Sequence, residues 1–202
     1  MNTNHQKLNK DFGILICGHG SRNKLAISEF KELTKSIKER FKGITVEYGF
    51  LEFAKPSIVD GLDKLRSNSI KKIIAIPAML FAAGHVKNDI PSVLMKYASI
   101  HNLEVFYGRE LGINNSMINA ACERVKEVFL KNTNLKLSES MLVVVGRGSS
   151  DPDANSNVFK ITRMMVESLG FGWGETVFSG ITFPLVEPGL NHIVKLGYKN
   201  II

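Results

Sequence analysis

Gly13-Ile-Leu-Ile-Cys-Gly-His-Gly-Ser-Arg22 is the stretch that decides the fold. Ile14 to Cys17 is an apolar run of strand length, and glycines at 18 and 20 let the chain turn sharply out of it. The turn leaves the His19 imidazole exposed at the strand's C-terminal end, where open α/β sheets place their chemistry.

Strand and helix alternate from there. Leu25, Phe30, Leu33, Ile37 and Phe41 predict one apolar helix face, followed by a strand at about 45–51 and a helix opened by Pro56 with Ile58, Leu62 and Leu65 inward. A buried strand over 71–80, a helix from about 87 to 100 and a fourth strand at 103–107 continue the β-α-β order. A long helix bearing Met117, Ile118, Ala121, Val125, Val128 and Phe129 closes a first domain set at 13–132, after a polar tail at 1–12. The polar, aperiodic stretch 133–140 reads as a linker.

Beyond the linker the pattern restarts. An offset of about 128 residues places Gly18, Gly20 and Ser21 on Gly146, Gly148 and Ser149, Pro56 on Pro184, and Gly61-Leu62 on Gly189-Leu190. Lys71, Ile73 and Ile74 fall on Lys199, Ile201 and Ile202. Identity in this register is roughly one position in four and sits on turn glycines and prolines, the mark of an internal duplication. The fold expected is α/β: two tandem domains with parallel four-stranded sheets flanked by helices, the second, at 141–202, incomplete and three-stranded. An incomplete second sheet leaves an exposed edge, so either lower stability or self-association over that edge is expected.

Composition excludes several classes. The net charge of +7 is mostly scattered lysine with no stripe or arm, so no nucleic-acid partner is expected, whereas an anionic small molecule suits it. The longest apolar run, Ile73 to Ala83, is too short to span a bilayer and contains Pro77, so no membrane partner and a cytoplasmic location are expected. Cys17 and Cys122 lack metal or redox spacing and read as small core residues.

The two copies differ where chemistry would sit. His19 becomes Arg147, Glu52 becomes Gly180, and no counterpart of His85 exists. His19, Glu52 and His85 each follow a different strand at its C-terminal end, so a parallel sheet brings them to one cleft. Two imidazoles and a carboxylate suit a borderline divalent ion such as Co²⁺, Fe²⁺ or Ni²⁺ and leave coordination positions open.

G-H-G-S-R at 18–22, L-E-F-A-K-P-S at 51–57 and G-H-V-K-N-D-I-P at 84–91 resemble the signatures of the class II tetrapyrrole chelatases, specifically the sirohydrochlorin chelatases. G-R-G-S-S-D-P-D-A-N-S at 146–156 resembles the second domain of the long, two-domain cobaltochelatase form, here C-terminally truncated. The resemblance implies insertion of Co²⁺ or Fe²⁺, as substrate, into sirohydrochlorin for cobalamin or sirohaem. His19 and His85 are then the metal-binding and catalytic histidines, with Glu52 as the acidic partner. No organic cofactor is implied. The polycarboxylate macrocycle needs cationic or N–H-rich walls, for which Ser21, Arg22, Lys87 and the helix N-terminus after Gly20 are candidates. From the second copy, Arg147 and Ser149, with Ser150 and Asn155 nearby, are expected to close the cleft without ligating metal. The alternatives are a metal or tetrapyrrole carrier or an inactive fragment without turnover, and a histidine phosphatase, which would carry Arg where Gly18 stands.

Overall fold

The computed structural model describes residues 12–131 and 135–202. The expected tail up to residue 11 and part of the expected linker lie outside the described residues; Phe12 already belongs to the first strand.

Alternation along β1, Phe12–Gly18, sends Ile14 and Ile16 to one face and Leu15 and Cys17 to the other, and all four are buried. A strand buried on both sides needs helices on both sides. β2 (Thr45–Phe50), β3 (Lys72–Pro77) and β4 (Glu104–Tyr107) join it in a wholly parallel sheet of order β2-β1-β3-β4. Helix α1, Lys24–Arg40, covers Ile14, Ile16 and Val46 through Phe30 and Ile37. Helices α2 (Ile58–Ser67) and α3 (Ile90–His101) cover the opposite face with Leu62, Leu65, Ile90 and Leu94.

The buried stripe of α1 is narrower than its periodicity predicts. Leu25, Leu33 and Phe41 are exposed, and the fully buried helix position is Thr34, whose hydroxyl donates to the Phe30 carbonyl at 3.0 Å. Phe41 is the C-cap, already past the last helical turn; Leu33 flanks the stripe, and Leu25 lies on the opposite side of the helix. Pro56 does not itself open α2. It precedes the N-cap Ser57, which forms a reciprocal capping box with Asp60.

Leu111–Ile202 forms a second compact unit, the first running through Glu110. The compact units thus part at 110–111, whereas the repeat boundary is expected at 132–133. The reason is α4, Asn115–Leu130: its Ile118 and Cys122 are buried against Leu142 of β5 (Ser140–Gly146) and Met165 and Leu169 of α5 (Pro152–Leu169). Helical periodicity shows which face of α4 is apolar, not which sheet that face will cover. The expected linker is likewise shorter, since residues 137–139 form a 3₁₀ turn and Ser140 opens β5.

β5, β6 (Trp173–Phe178) and β7 (Asn200–Ile201) form a parallel three-stranded sheet of order β6-β5-β7, with α6 (Val186–Ile193) packed through Ile193 on Met141 and Val177. The duplication is therefore structural. β5 and β6 begin and end at the positions that the sequence offset assigns from β1 and β2, and Thr162, the counterpart of Thr34, is also buried and donates to the carbonyl one turn back at 3.0 Å. Cys17 and Cys122 are buried and unpaired, and burial pushes the Cys17 thiol up to about 12, so it stays protonated. Among the described residues no helix is long and apolar enough to cross a membrane.

Candidate metal centre

The strand order places the change of winding direction between β1 and β3, and the chain leaves both at the same end of the sheet. Past Gly18 the hydrogen-bond ladder continues: Leu51 N–H donates to the Gly18 carbonyl at 2.8 Å and Glu52 N–H to the His19 carbonyl at 3.0 Å. Parallel pairing thus sets Glu52 beside His19. The approach is close enough that Gly20, at φ +96°, has no room for a side chain; a Cβ there would overlap the Glu52 carbonyl oxygen. The second copy repeats the device, with Gly148 at φ +89° against the Gly180 carbonyl.

His85 arrives from the segment after β3. It opens a π-helical turn, His85–Asp89, that runs directly into α3, a rare geometry enriched at functional sites. Buried Val86 anchors this turn, and its carbonyl accepts a hydrogen bond from the Tyr107 hydroxyl at 3.0 Å. Burial, with smaller contributions from Cys17 and Glu110, pushes Tyr107 up to about 12, so the phenol keeps the proton it donates.

Both histidines are held by one ring nitrogen and present the other. His19 Nδ1 lies 3.1 Å from the Gly20 carbonyl, and His85 Nδ1 lies 2.7 Å from Oδ2 of Asp89. Each of these partners accepts from an Nδ1–H, and a ring in that tautomer has its Nε2 lone pair available to an ion. The two Nε2 atoms point at one oxygen, Oε1 of Glu52, at 3.3 Å from His19 and 3.8 Å from His85. The rings lie edge to face with centroids 4.7 Å apart. Donor atoms of all three residues fall within 4.8 Å of one another. Two ligands on one ion with bonds of about 2.1 Å stand about 3–3.5 Å apart, so this trio needs little adjustment to close on a metal. The side chains are 31–43% exposed, which leaves the open face a mononuclear exchange site requires.

The expected binding residues divide. The Arg22 guanidinium lies 5.1 Å above the Phe53 ring, which itself stacks on His19 at 6.1 Å. Lys87 is exposed on the turn that carries His85. Ser21 and Ser149 have parallel local roles, their hydroxyl oxygens accepting from the N–H groups of Asn23 at 3.0 Å and Asp151 at 3.1 Å. Ser149 is further tied to Asn155 by two hydrogen bonds. Arg147 and Ser150 are exposed at the matching strand end of the second unit. Sequence reasoning missed two residues. Asp89 lies inside the quoted G-H-V-K-N-D-I-P motif, four residues after His85, and that spacing was its available signal. Phe53, at φ 59°, is a strained non-glycine position beside the site that only the backbone reveals.

A parallel α/β unit here brings two imidazoles and a carboxylate together from three strand ends, a donor set that could hold a divalent ion. The sequence profile of the CbiX family matches residues 13–128 and 141–202, and the chain belongs to that family. It is 33% identical over 191 residues to a sirohydrochlorin cobaltochelatase of Priestia megaterium, covering 94% of this chain and 61% of that relative. It is 35% identical over 123 residues to a shorter sirohydrochlorin cobaltochelatase of Sulfurisphaera tokodaii, covering 60% of this chain and 98% of the other. SirB from Bacillus subtilis with Fe3+ matches with a TM-score of 0.84 at 27% identity, over 95% of this chain and 75% of that structure. The chain thus spans about three fifths of the length of the Priestia cobaltochelatase. The histidine phosphatase alternative finds no support, since the partners of His19 Nε2 and its ring are Glu52 and His85, with Arg22 set over Phe53.

Proposed function

We propose that this protein is a sirohydrochlorin chelatase, inserting a divalent metal into the free-base macrocycle, with Co²⁺ the favoured metal and Fe²⁺ the second. The observation that carries the reading is the clustering of the two Nε2 atoms with the Glu52 carboxylate, on the copy of the repeat that has His19 and Glu52 where the other has Arg147 and Gly180. The two relatives described above that are named as cobaltochelatases support the metal preference.

Insertion exchanges one M²⁺ for the two pyrrole N–H protons, so the site must hold the ion, release it to the ring, and accept protons. His19 and His85 hold the ion from one face. As it leaves them, each freed Nε2 accepts a proton from the macrocycle. Glu52, between them and partly exposed, ligates the ion first and then passes protons to solvent. The metal is substrate throughout, and no organic cofactor takes part.

Incubation under anaerobic conditions with sirohydrochlorin and Co²⁺, Fe²⁺ or Ni²⁺ in turn, followed by absorbance, tests this reading. Insertion faster than the enzyme-free rate is expected, together with loss of turnover in His85→Ala at any substrate concentration. Stoichiometric binding without acceleration would instead establish a carrier.

A further inference from the structure

We infer that the basic hollow beside the metal centre, between the start of α1 and the turn after β2, is the seat for carboxylate arms of the macrocycle; this rests on the chelatase reading above. The hollow encloses about 350 Å³ and is lined by Arg22, Lys24, Lys31 and Lys55 around Phe53, with no acidic side chain in its wall. Among the described residues, Lys55 is the one of the four cations with a carboxylate partner, Asp60 at 3.2 Å. Arg22 rests on the Phe53 ring, and Lys24 and Lys31 have no ion pair among the described residues. Like charges gathered round a concavity without counter-charge repel one another, and an anion relieves that cost.

The internal repeat supplies a control. At the matching positions of the second copy the four cations are replaced by Ser150, Pro152, Phe159 and Phe183, while the surrounding strands, turn glycine and helix are kept. The fold therefore does not require this charge. It accompanies His19, Glu52 and His85, on the one copy that has them. The hollow is also contiguous with the metal centre, because Phe53 follows Glu52 and stacks on His19 while carrying Arg22 on its ring. A flat ring set over the two imidazoles has its rim here, where Arg22 offers a planar fork and the lysines mobile ammonium groups to carboxylates.

The test is the double variant Lys24→Gln/Lys31→Gln in the full chain, assayed with sirohydrochlorin and Co²⁺. Each exposed pairing shifts an equilibrium by roughly two- to fivefold, so KM for sirohydrochlorin should rise about tenfold and its dependence on ionic strength should flatten. Co²⁺ affinity measured without the macrocycle should stay within twofold. Lys42→Gln/Lys71→Gln removes the same charge at the N-terminal ends of β2 and β3, the far end of the sheet, and should leave KM unchanged. An unaltered KM and salt dependence in the first variant, or an equal rise in the second, would overturn the subsite while leaving the chelatase reading intact. Absence of insertion by the unmodified protein would instead sink the chelatase reading itself.

Discussion

Asp89 accepts a hydrogen bond from Nδ1 of His85 across 2.7 Å, doing with a side chain what the Gly20 carbonyl does for His19 with the backbone. A carboxylate there fixes the tautomer, aims Nε2 at Glu52, and makes the imidazole a better donor. Asp89→Ala should weaken Co²⁺ binding by about 10–100-fold, and Asp89→Asn, which keeps an acceptor without the charge, should recover part of it. Competition against a chromophoric chelator measures both. Equal affinities in all three proteins would show the contact to be incidental.

Glu52 is the shared target of both imidazoles, so Glu52→Gln separates holding the metal from moving protons. The amide keeps the shape and a weak oxygen ligand but accepts no proton. Turnover should fall by about 10²–10⁴-fold, more than Co²⁺ affinity does. A parallel fall in the two quantities would make Glu52 a ligand alone.

Gly20 and Gly148 face the same steric problem in the two copies, and both have positive φ. Alanine at either should cost on the order of 1–3 kcal/mol of stability, read by denaturant unfolding. Only Gly20→Ala should also lower Co²⁺ affinity, because only there does the crowded carbonyl belong to a metal-site residue. Loss of metal binding in Gly148→Ala would contradict the assignment of the ion to the first copy.

Asp60 gives stability a defined acid limit. Hydrogen bonds from the Ser57 backbone and hydroxyl, then from Lys55, hold its carboxyl down at about 2. A folded-state value below the unfolded one contributes stability that is fully present above the ordinary carboxylate range, about 4, and is lost as pH falls towards 2. Stability measured across that window should decline less steeply in Asp60→Asn. Ser57→Ala should cost about 1 kcal/mol at neutral pH through loss of the helix cap. A slope identical to that of the unmodified protein in Asp60→Asn would rule out this linkage.

Much of the fold was legible because β1 and its repeat obey rules that hold within a few residues. The apolar run Ile14–Cys17, the turn glycines and the fixed offset to Gly146 specify strand positions, and parallel order then gathers His19, Glu52 and His85 at one end. What escaped depends on geometry that spacing does not encode. Asp89 reaches His85 through a π-helical turn that no periodicity announces. The exposure of Leu25 and Leu33 depends on where the rest of α1 meets the sheet. The placement of α4 depends on which of two apolar surfaces receives Ile118 and Cys122.

That placement of α4 means that heredity and cohesion divide this chain at different points. The ancestral segment that was copied restarts near Ser140, but the bodies that hold together part at Glu110. Severing the protein at the seam between copies would strip Leu142, Met165 and Phe171 of the helix that shields them, and would leave that helix on the wrong fragment with its apolar stripe in water. Severing it after Glu110 keeps each interior whole. Anyone transplanting the body that carries His19, Glu52 and His85 into another protein should follow the second seam, and a gene rearrangement that followed the first would have to find Ile118 and Cys122 a new surface.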